Sequence, residues 1–142
     1  MRTRETLTPV GVVEGLRGLG YELYPVLETE VHEHKVGGHP IPRVVGTRYR
    51  GKGKPPAELL EAAAEHRPYL AAIVCATDPA STGIPWVSHV VKAYLSGEVF
   101  VLNGRPCRFA ARTVAANVGA LCGLRSEKEI SLLTPMIKEV LS

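Results

Sequence analysis

The stretch that most constrains the fold runs from Tyr69 to Gly83, YLAAIVCATDPASTG, where a nearly unbroken apolar run leads directly into a short polar segment. An apolar run of this length without polar alternation is typical of a strand covered on both faces, as in a parallel sheet flanked by helices. Pro79 removes a backbone donor and would end such a strand. Pro85 suits the first turn of a helix and precedes an amphipathic pattern. We therefore expect a buried strand, a polar loop and a helix N-terminus, in that order.

The rest of the chain alternates strand-like and helix-like segments. Strands are expected at 21–27, 28–36, 39–47, 69–76 and 98–102, and helices at 57–66, 85–96 and 109–121. Residues 126–129 have the spacing of a capping box, and a last helix restarts at Thr134-Pro135 and runs to Leu141. Residues 9–19 fit either a short helix capped by Thr8 or a strand over Val10 to Val13. Strands alternating with helices predict an α/β fold, a three-layer sandwich with a mainly parallel sheet, plus an exposed β-hairpin.

The hairpin is predicted from a Gly37-Gly38 pair between the extended runs 28–36 and 39–47. Both glycines can take the positive φ that a two-residue turn demands. The first run, ETEVHEHKV, is polar on both faces, so we expect it to be exposed or dedicated to a ligand or partner. Pro25, in the run before it, marks an edge or a bulge. Asn103-Gly104 predicts a second turn after the strand at 98–102.

Composition limits the class of protein. At 142 residues and 45% hydrophobic, the chain has the size of a single domain, 1–142, with one core. No apolar run reaches the roughly 18 residues of a membrane span, and the N-terminus lacks the apolar middle of a signal peptide, so we expect a cytoplasmic protein without a membrane partner. Cys75, Cys107 and Cys122 have no C-x-x-C spacing and are expected to be reduced. The net charge of +3 is compatible with an anionic ligand.

The first candidate site is the segment Asp78 to Gly83 with the helix N-terminus that follows it. Ser81 and Thr82 can donate hydroxyl hydrogen bonds, Gly83 permits a close backbone approach, and a helix N-terminus favours an anion. Asp78 would repel a bare phosphate but suits a metal, a ribose hydroxyl or a base edge. The alternative is that Asp78 and Ser81 only turn the chain and cap the helix.

At this segment the sequence resembles a known family. Ala76-Thr77-Asp78-Pro79 followed by Gly83 resembles the ATDPDxxG signature of the Toprim domain of topoisomerases, primases and related nucleases. Val12-Val13-Glu14-Gly15 is similar to that family's VEG motif, and Gly46-Thr47 to the GT of primase members. The resemblance implies that Glu14 and Asp78 hold a divalent cation for phosphoryl transfer or strand cleavage. The chain departs from the signature at Ala80, where the family has its second acid, and at Thr82, where some members have a third.

The second candidate site is the glycine-rich basic segment Gly46 to Pro56, GTRYRGKGKPP, which we interpret as a mobile loop. It carries cations interleaved with an aromatic ring, namely Arg48, Tyr49, Arg50, Lys52 and Lys54, and Arg43 precedes it. Arg and Lys neutralise phosphate and Tyr stacks on a base, so the segment suits a nucleotide or nucleic acid. A solvated loop without a ligand is the alternative.

Histidines form the third candidate. In the predicted hairpin, alternation places His32, His34 and His39 on one face, where imidazoles could hold zinc or another transition metal. His89, one turn into the Trp86 helix, is a candidate acid or base for the Asp78 segment. Cys75 is discounted as a nucleophile because apolar surroundings raise a thiol pKa.

Three functional hypotheses follow. The first is a domain that binds a phosphate-bearing ligand, a nucleotide or nucleic acid, at Asp78 to Gly83 with help from Arg48, Lys52 and Lys54. The second is a non-catalytic homo-oligomeric assembly or regulatory protein, whose polar hairpin and small-residue helix at 109–121 make subunit contacts that enlarging Ala116 or Gly119 would break. The third is a metal-dependent enzyme that uses the hairpin histidines.

Overall fold

The computed structural model describes residues 7–31 and 40–142. In these ranges the elements are α1 (Pro9–Gly18), β1 (Glu22–Val31), β2 (Pro40–Arg50), α2 (Ala57–Glu65), α3 (Arg67–Thr77), a 3-10 helix (Pro79–Thr82), α4 (Pro85–Ser96), β3 (Val99–Leu102), β4 (Arg105–Arg108), α5 (Ala111–Leu121) and α6 (Glu127–Leu141). None of the helices in the described ranges is long and apolar enough to cross a membrane.

The predicted central strand is wrong, because Tyr69 and the apolar residues after it belong to helix α3. Leu70 through Ala76 are all buried. Leu70, Ile73 and Val74 join a cluster with α1 and α2, whereas the alanines and Cys75 join a second cluster with α4, α5 and α6. A helix covered on all sides has the same unbroken apolar run as a covered strand. Helix propensity separates the two here, since Ala71, Ala72 and Ala76 favour a helix and small side chains let neighbouring elements approach closely.

The predicted three-layer sandwich with a mainly parallel sheet is also wrong. The strands of the described ranges form two separate antiparallel pairs, β1 with β2 and β3 with β4, and helices make up most of the remaining structure. The predicted sheet is wrong because its central strand was placed at residues 69–76, which form part of helix α3. Without a strand there, the helices have no central sheet to flank, and they pack on α3 instead.

Residues 9–18 form helix α1, which settles the alternative that the sequence left open. The Thr8 hydroxyl accepts a hydrogen bond from the Gly11 N–H at 3.0 Å, and Pro9 occupies the first turn, as expected for a capped helix start. The chain leaves the helix at Gly20, whose φ of +93° favours glycine.

An antiparallel pair does form here, but not the predicted exposed hairpin, because β1 merges the strands expected at 21–27 and 28–36 into one. Its register is irregular beside Pro25, between Val26 and Leu27. Val31 pairs with Pro40, whereas an uninterrupted two-residue turn at Gly37-Gly38 would pair Val31 with Val44. The turn itself lies outside the described residues. One face of the hairpin packs against α3, and its residues Tyr21, Leu23 and Val44 are buried.

The second hairpin, β3 with β4, is confirmed at the predicted turn. Asn103 and Gly104 have φ of 52° and 75°, the two positive values of the tight turn that matches strand twist. Unlike the first hairpin, it leaves its apolar strand exposed.

The last two helices pack closely on each other. A β-carbon on Gly119 of α5 would lie 3.0 Å from the Leu124 carbonyl oxygen and 3.2 Å from Leu133 Cδ2 of α6. Ser126 and Glu129 form the predicted capping box at the start of α6. The predicted restart at Thr134-Pro135 is wrong, since α6 runs through Pro135 without a break. Pro135 is exposed, and the Thr134 hydroxyl donates to the Ile130 carbonyl at 2.7 Å.

Candidate functional site

Asp78 ends α3 and does not follow a strand. It is exposed, with φ of −139°, between the last turn of α3 and the 3-10 helix Pro79–Thr82. Gly83 closes that short helix with φ of +67°, so the glycine is required by the backbone at this point. The segment is therefore a tight connection between two helices, α3 and α4.

The hydroxyl groups of Ser81 and Thr82 are engaged within this connection. Ser81 Oγ donates to the Asp78 carbonyl at 2.6 Å, and Thr82 Oγ1 donates to the Pro79 carbonyl at 2.7 Å. Thr82 Oγ1 also accepts the Ile84 N–H at 3.1 Å, and Thr82 is buried. Both hydroxyl protons thus stabilise the turn, which for Ser81 agrees with the alternative that the residue only turns the chain.

The N-terminus of α4 has few N–H groups for an anion. Ile84 N–H bonds to Thr82, Pro85 has no N–H, and Val87 N–H bonds to the Ile84 carbonyl at 3.1 Å. Since anion binding at helix ends depends on several free N–H groups, this end is a poor anion site.

Asp78 instead lines a cavity of about 500 Å³ between the end of α1, strand β1 and the end of α3. We name it the Asp78 cavity; its lining residues are Arg17, Gly20, Tyr21, Glu22, Leu23, Tyr24 and Asp78. Arg17 is held in place because its Nη1 donates to Thr77 Oγ1 at 2.8 Å, and Thr77 donates in turn to the Ile73 carbonyl at 2.9 Å. The cavity therefore combines a positioned guanidinium with two carboxylates, Asp78 and Glu22.

The outer face of the β1–β2 hairpin continues from this cavity. Tyr24 lies opposite Arg48 and Glu22 opposite Arg50 in the strand register, so these four side chains share the face that points away from α3. We name this surface the basic face. The Arg50 Cζ atom lies over the Tyr24 ring at 5.8 Å from its centroid, within the range of a cation–π contact. Tyr24 belongs to both the basic face and the Asp78 cavity.

The predicted mobile loop begins later than expected, because Gly46 to Arg50 belong to β2. What remains, Gly51 to Pro56, folds against Tyr21. The Tyr21 hydroxyl donates to the Lys52 carbonyl at 3.0 Å, and a β-carbon on Gly51 would lie 2.5 Å from the Tyr21 ring. Lys52 and Lys54 are exposed on this segment. Tyr21 also lines the Asp78 cavity, so one residue joins the basic segment to the cavity.

Other predicted site residues lie elsewhere. Glu14 is exposed on α1 and is not among the residues that line the Asp78 cavity. The Toprim resemblance expects a strand before the ATDP motif, but both Val12 to Gly15 and the residues before Asp78 are helical. His89 is exposed on α4. His32, His34 and His39 lie outside the described residues, and within the described ranges no group of three or more His, Cys, Asp or Glu side chains could hold a metal.

Sequence reasoning missed three residues of the site, Arg17, Glu22 and Tyr24. Alternation along β1 places Tyr24 and Glu22 on one face, but the pairing of that face with the arginines of β2 depends on a register that differs from the predicted one. Arg17 carries no such signal, since its position depends on where α1 crosses the end of α3.

Cys75 and Cys122 are buried together in the core between α3 and α5. A side-chain hydrogen bond to Cys75 is the largest cause that raises the pKa of the Cys122 thiol, and burial adds to it. A thiol with a raised pKa is a poor nucleophile, so Cys122 serves as a small buried side chain of the core.

Two smaller cavities lie elsewhere on the surface. One, of about 390 Å³, lies between β2 and the helices α2 and α3, and its wall includes Thr47 and Arg67. Thr47 Oγ1 is buried and has no hydrogen-bond partner among the described residues. The other, of about 320 Å³, lies beside Trp86 and the half-buried Ala116 of α5. Gly119 is buried against α6, so enlarging it tests the fold and cannot report on a subunit interface.

Comparison of the chain with protein-family models, with curated proteins and with solved structures gives no match. The chemistry of the Asp78 cavity and of the basic face is what bears on function.

Proposed function

We propose that this protein binds a phosphate-bearing ligand, a nucleotide or a nucleic acid strand, across the basic face and the Asp78 cavity. The observation that carries the proposal is the position of Tyr24, which lines the Asp78 cavity and lies beneath Arg50 on the basic face. An aromatic ring, two exposed arginines and a hydrogen-bonding pocket on one continuous surface are the elements that bind nucleotides.

The arginines of the basic face bind the phosphate groups of the ligand in this proposal. Arg48 and Arg50 are exposed on neighbouring positions of one face, so two planar guanidinium groups can reach one or two successive phosphates. Lys52 and Lys54 extend the positive charge past the end of β2. The inner face of the same hairpin is fixed on α3, which positions the outer face without further ordering.

The Asp78 cavity binds the ribose and the base of the ligand in this proposal. Asp78 and Glu22 are acceptors for ribose hydroxyls or for the N–H groups of a base, and their negative charge directs phosphates towards the arginines. Arg17, held by Thr77, retains further N–H groups for a base edge. Tyr24 and the Arg50 plane offer stacking surfaces for the base.

A divalent cation is compatible with this arrangement. Magnesium sites in proteins commonly use one or two carboxylates together with phosphate oxygens and water. Asp78 and Glu22 are the two carboxylates of the cavity, so a cation would enter with the ligand's phosphates. In that case magnesium raises the affinity for nucleoside triphosphate and EDTA lowers it.

The experiment is a fluorescence-anisotropy titration with a labelled single-stranded oligonucleotide of about ten nucleotides, near the length that one small module covers. Arg48→Ala and Arg50→Ala are each expected to weaken binding roughly tenfold and to reduce the slope of log K against log salt by about 0.7. Arg105→Ala removes the same charge from the exposed strand β4 and is the matched control, expected to bind like the wild type. Equal affinity in the Arg48→Ala/Arg50→Ala double variant and the control would contradict the proposal.

A competition assay tests whether Asp78 contacts the ribose or the base of the ligand. Unlabelled ATP and tripolyphosphate share their phosphates but only ATP has a ribose and a base. Asp78→Ala is expected to weaken competition by ATP roughly tenfold and to leave or improve competition by tripolyphosphate. If both competitors lose the same factor, Asp78 does not contact the nucleoside, and the cavity is not part of the site.

A further inference from the structure

Strand β3 is the largest run of exposed apolar side chains in the described part of the protein. Val99, Phe100, Val101 and Leu102 expose 51%, 36%, 73% and 57% of their surfaces, so both faces of the strand are open to solvent. Phe100 contacts the Phe109 ring at 5.2 Å between centroids, which anchors only one side of the hairpin. Exposed apolar patches of this kind mark sites of protein association.

The geometry of the hairpin determines which backbone groups are free. Leu102 and Arg105 flank the two-residue turn, so they form a hydrogen-bonded pair, and Phe100 with Cys107 is the next such pair. Val99 and Val101 alternate with these residues and direct their N–H and C=O groups away from β4. In the described ranges no third strand pairs with β3, so these groups form an open sheet edge.

The two edges of this hairpin differ in protection. On β4, Pro106 lies opposite Val101 in a pair without mutual hydrogen bonds, so the N–H that it lacks is the one that would face outward. Arg105 and Arg108 add charge to the same strand. Proline and charge are the features that prevent edge pairing. Strand β3 has neither, because its four residues are all apolar.

We propose that two copies of this chain associate through antiparallel pairing of their β3 edges, forming a four-stranded sheet in the order β4, β3, β3 and β4. Val99 of one copy pairs with Val101 of the second copy and the reverse, so four backbone hydrogen bonds form about a twofold axis at Phe100. The two Phe100 rings then lie opposite each other across the axis. This surface is separate from the Asp78 cavity, and the inference does not depend on the proposed ligand.

Charge favours a second copy as the partner. The arginines of the hairpin lie on β4, which is the outer strand of the four-stranded sheet, so two copies approach without like charges facing each other at the β3 edges. The contact is small compared with the roughly 800 Å² per partner of a standard interface, so the dimer is expected to dissociate at micromolar concentration.

The first experiment is sedimentation velocity from about 1 to 200 μM, the range in which a small interface titrates. The wild type is expected to shift from monomer to dimer. Val101→Pro removes the outward N–H without removing a hydrogen bond to β4 and should raise the dissociation constant at least tenfold. Val101→Thr keeps that N–H and should dimerise within about threefold of the wild type. A monomeric wild type at the highest concentration overturns the proposal, as does equal loss of dimer in both variants.

A cross-link tests the register and does not require the proline. In the Cys107→Ser background, Phe100→Cys places two thiols across the twofold axis, where facing α-carbons lie about 4.5 Å apart and a disulfide can form. Mild oxidation is expected to give a covalent dimer at least tenfold faster than for Leu102→Cys, whose thiol lies opposite Glu98 of the second copy. Equal rates for the two variants overturn the pairing about Phe100.

Discussion

The β1–β2 hairpin and the β3–β4 hairpin are both antiparallel pairs, but their surroundings differ. Helix α3 packs against the first, so Leu23 and Val44 are buried and only the outer face remains open. The second hairpin packs little, and all of β3 is exposed. The first is fixed as a support for polar side chains, whereas the second presents apolar side chains and an open edge. Their packing therefore separates the proposed ligand surface on the first hairpin from the proposed self-association surface on the second.

The largest expected effect comes from leucine truncation in the two hairpins. Leu23→Ala removes a buried side chain from the inner face of β1 and should lower the free energy of unfolding by about 2–5 kcal/mol. Leu102→Ala is the same chemical change on β3, where the side chain is 57% exposed, and should stay within about 0.5 kcal/mol. Urea denaturation at a concentration where the protein is monomeric measures both. Similar losses for the two variants would show that β3 is covered in the monomer.

A glycine pair gives the next largest effect. Gly51→Ala forces a β-carbon against the buried Tyr21 ring. The Tyr21 hydroxyl donates a hydrogen bond to the Lys52 carbonyl, and the ring packs edge-on against Tyr49. The ring cannot move freely, so we expect a loss of about 1–3 kcal/mol in unfolding free energy. Gly46→Ala, within β2, meets no atom within 4 Å and serves as the control. If thermal denaturation finds the two variants equally stable, the basic segment does not fold against Tyr21.

Local features of the fold could be predicted from the sequence, whereas features that depend on long-range contacts could not. The Thr8 cap, the Asn103-Gly104 turn and the capping box at Ser126 were predicted because each depends on neighbouring residues. Residues 69–76 were assigned wrongly, because burial on all sides erases the periodicity that separates strand from helix. The predicted parallel sheet is wrong for the same reason, because it was built around a strand at these residues.

The candidate site shows the same division. Composition and local pattern indicate Asp78, Arg48, Lys52 and Lys54 as candidates, and all four side chains are exposed. Their relative positions in the fold could not be predicted from the sequence. The Asp78 cavity depends on where α1 crosses the end of α3 and on the β1–β2 register. Arg17 and Tyr24 enter the site only through these long-range contacts.

A turn substitution tests whether the second hairpin is coupled to the core. Gly104→Ala places an L side chain at φ of +75° and should cost about 1 kcal/mol within the turn. Because β3 and β4 pack little on the body, we expect faster amide exchange at Phe100 and Leu102, with no change in global unfolding. A matching fall in global stability would mean that the hairpin unfolds together with the core.

One substitution is expected to give a gain in stability. Thr47→Val removes the buried Thr47 hydroxyl on the inner face of β2 and should raise the unfolding free energy by about 1 kcal/mol. Thr47→Ser keeps a hydroxyl and loses a methyl group, so it should be less stable than the wild type. Calorimetry of the three proteins checks the order. A destabilised Thr47→Val would indicate that the hydroxyl has a partner in solution.

The most direct test of the division between the two hairpins is a nitrogen–proton correlation spectrum of the protein, recorded during titration with a short single-stranded oligonucleotide at a protein concentration low enough to keep it monomeric. The predicted result is saturable shifts at Arg17, Tyr24, Arg50 and Asp78, with Val99 and Val101 unchanged. Shifts confined to β3, or no shifts at the basic face and the Asp78 cavity, would contradict the assignment of the ligand surface to the first hairpin.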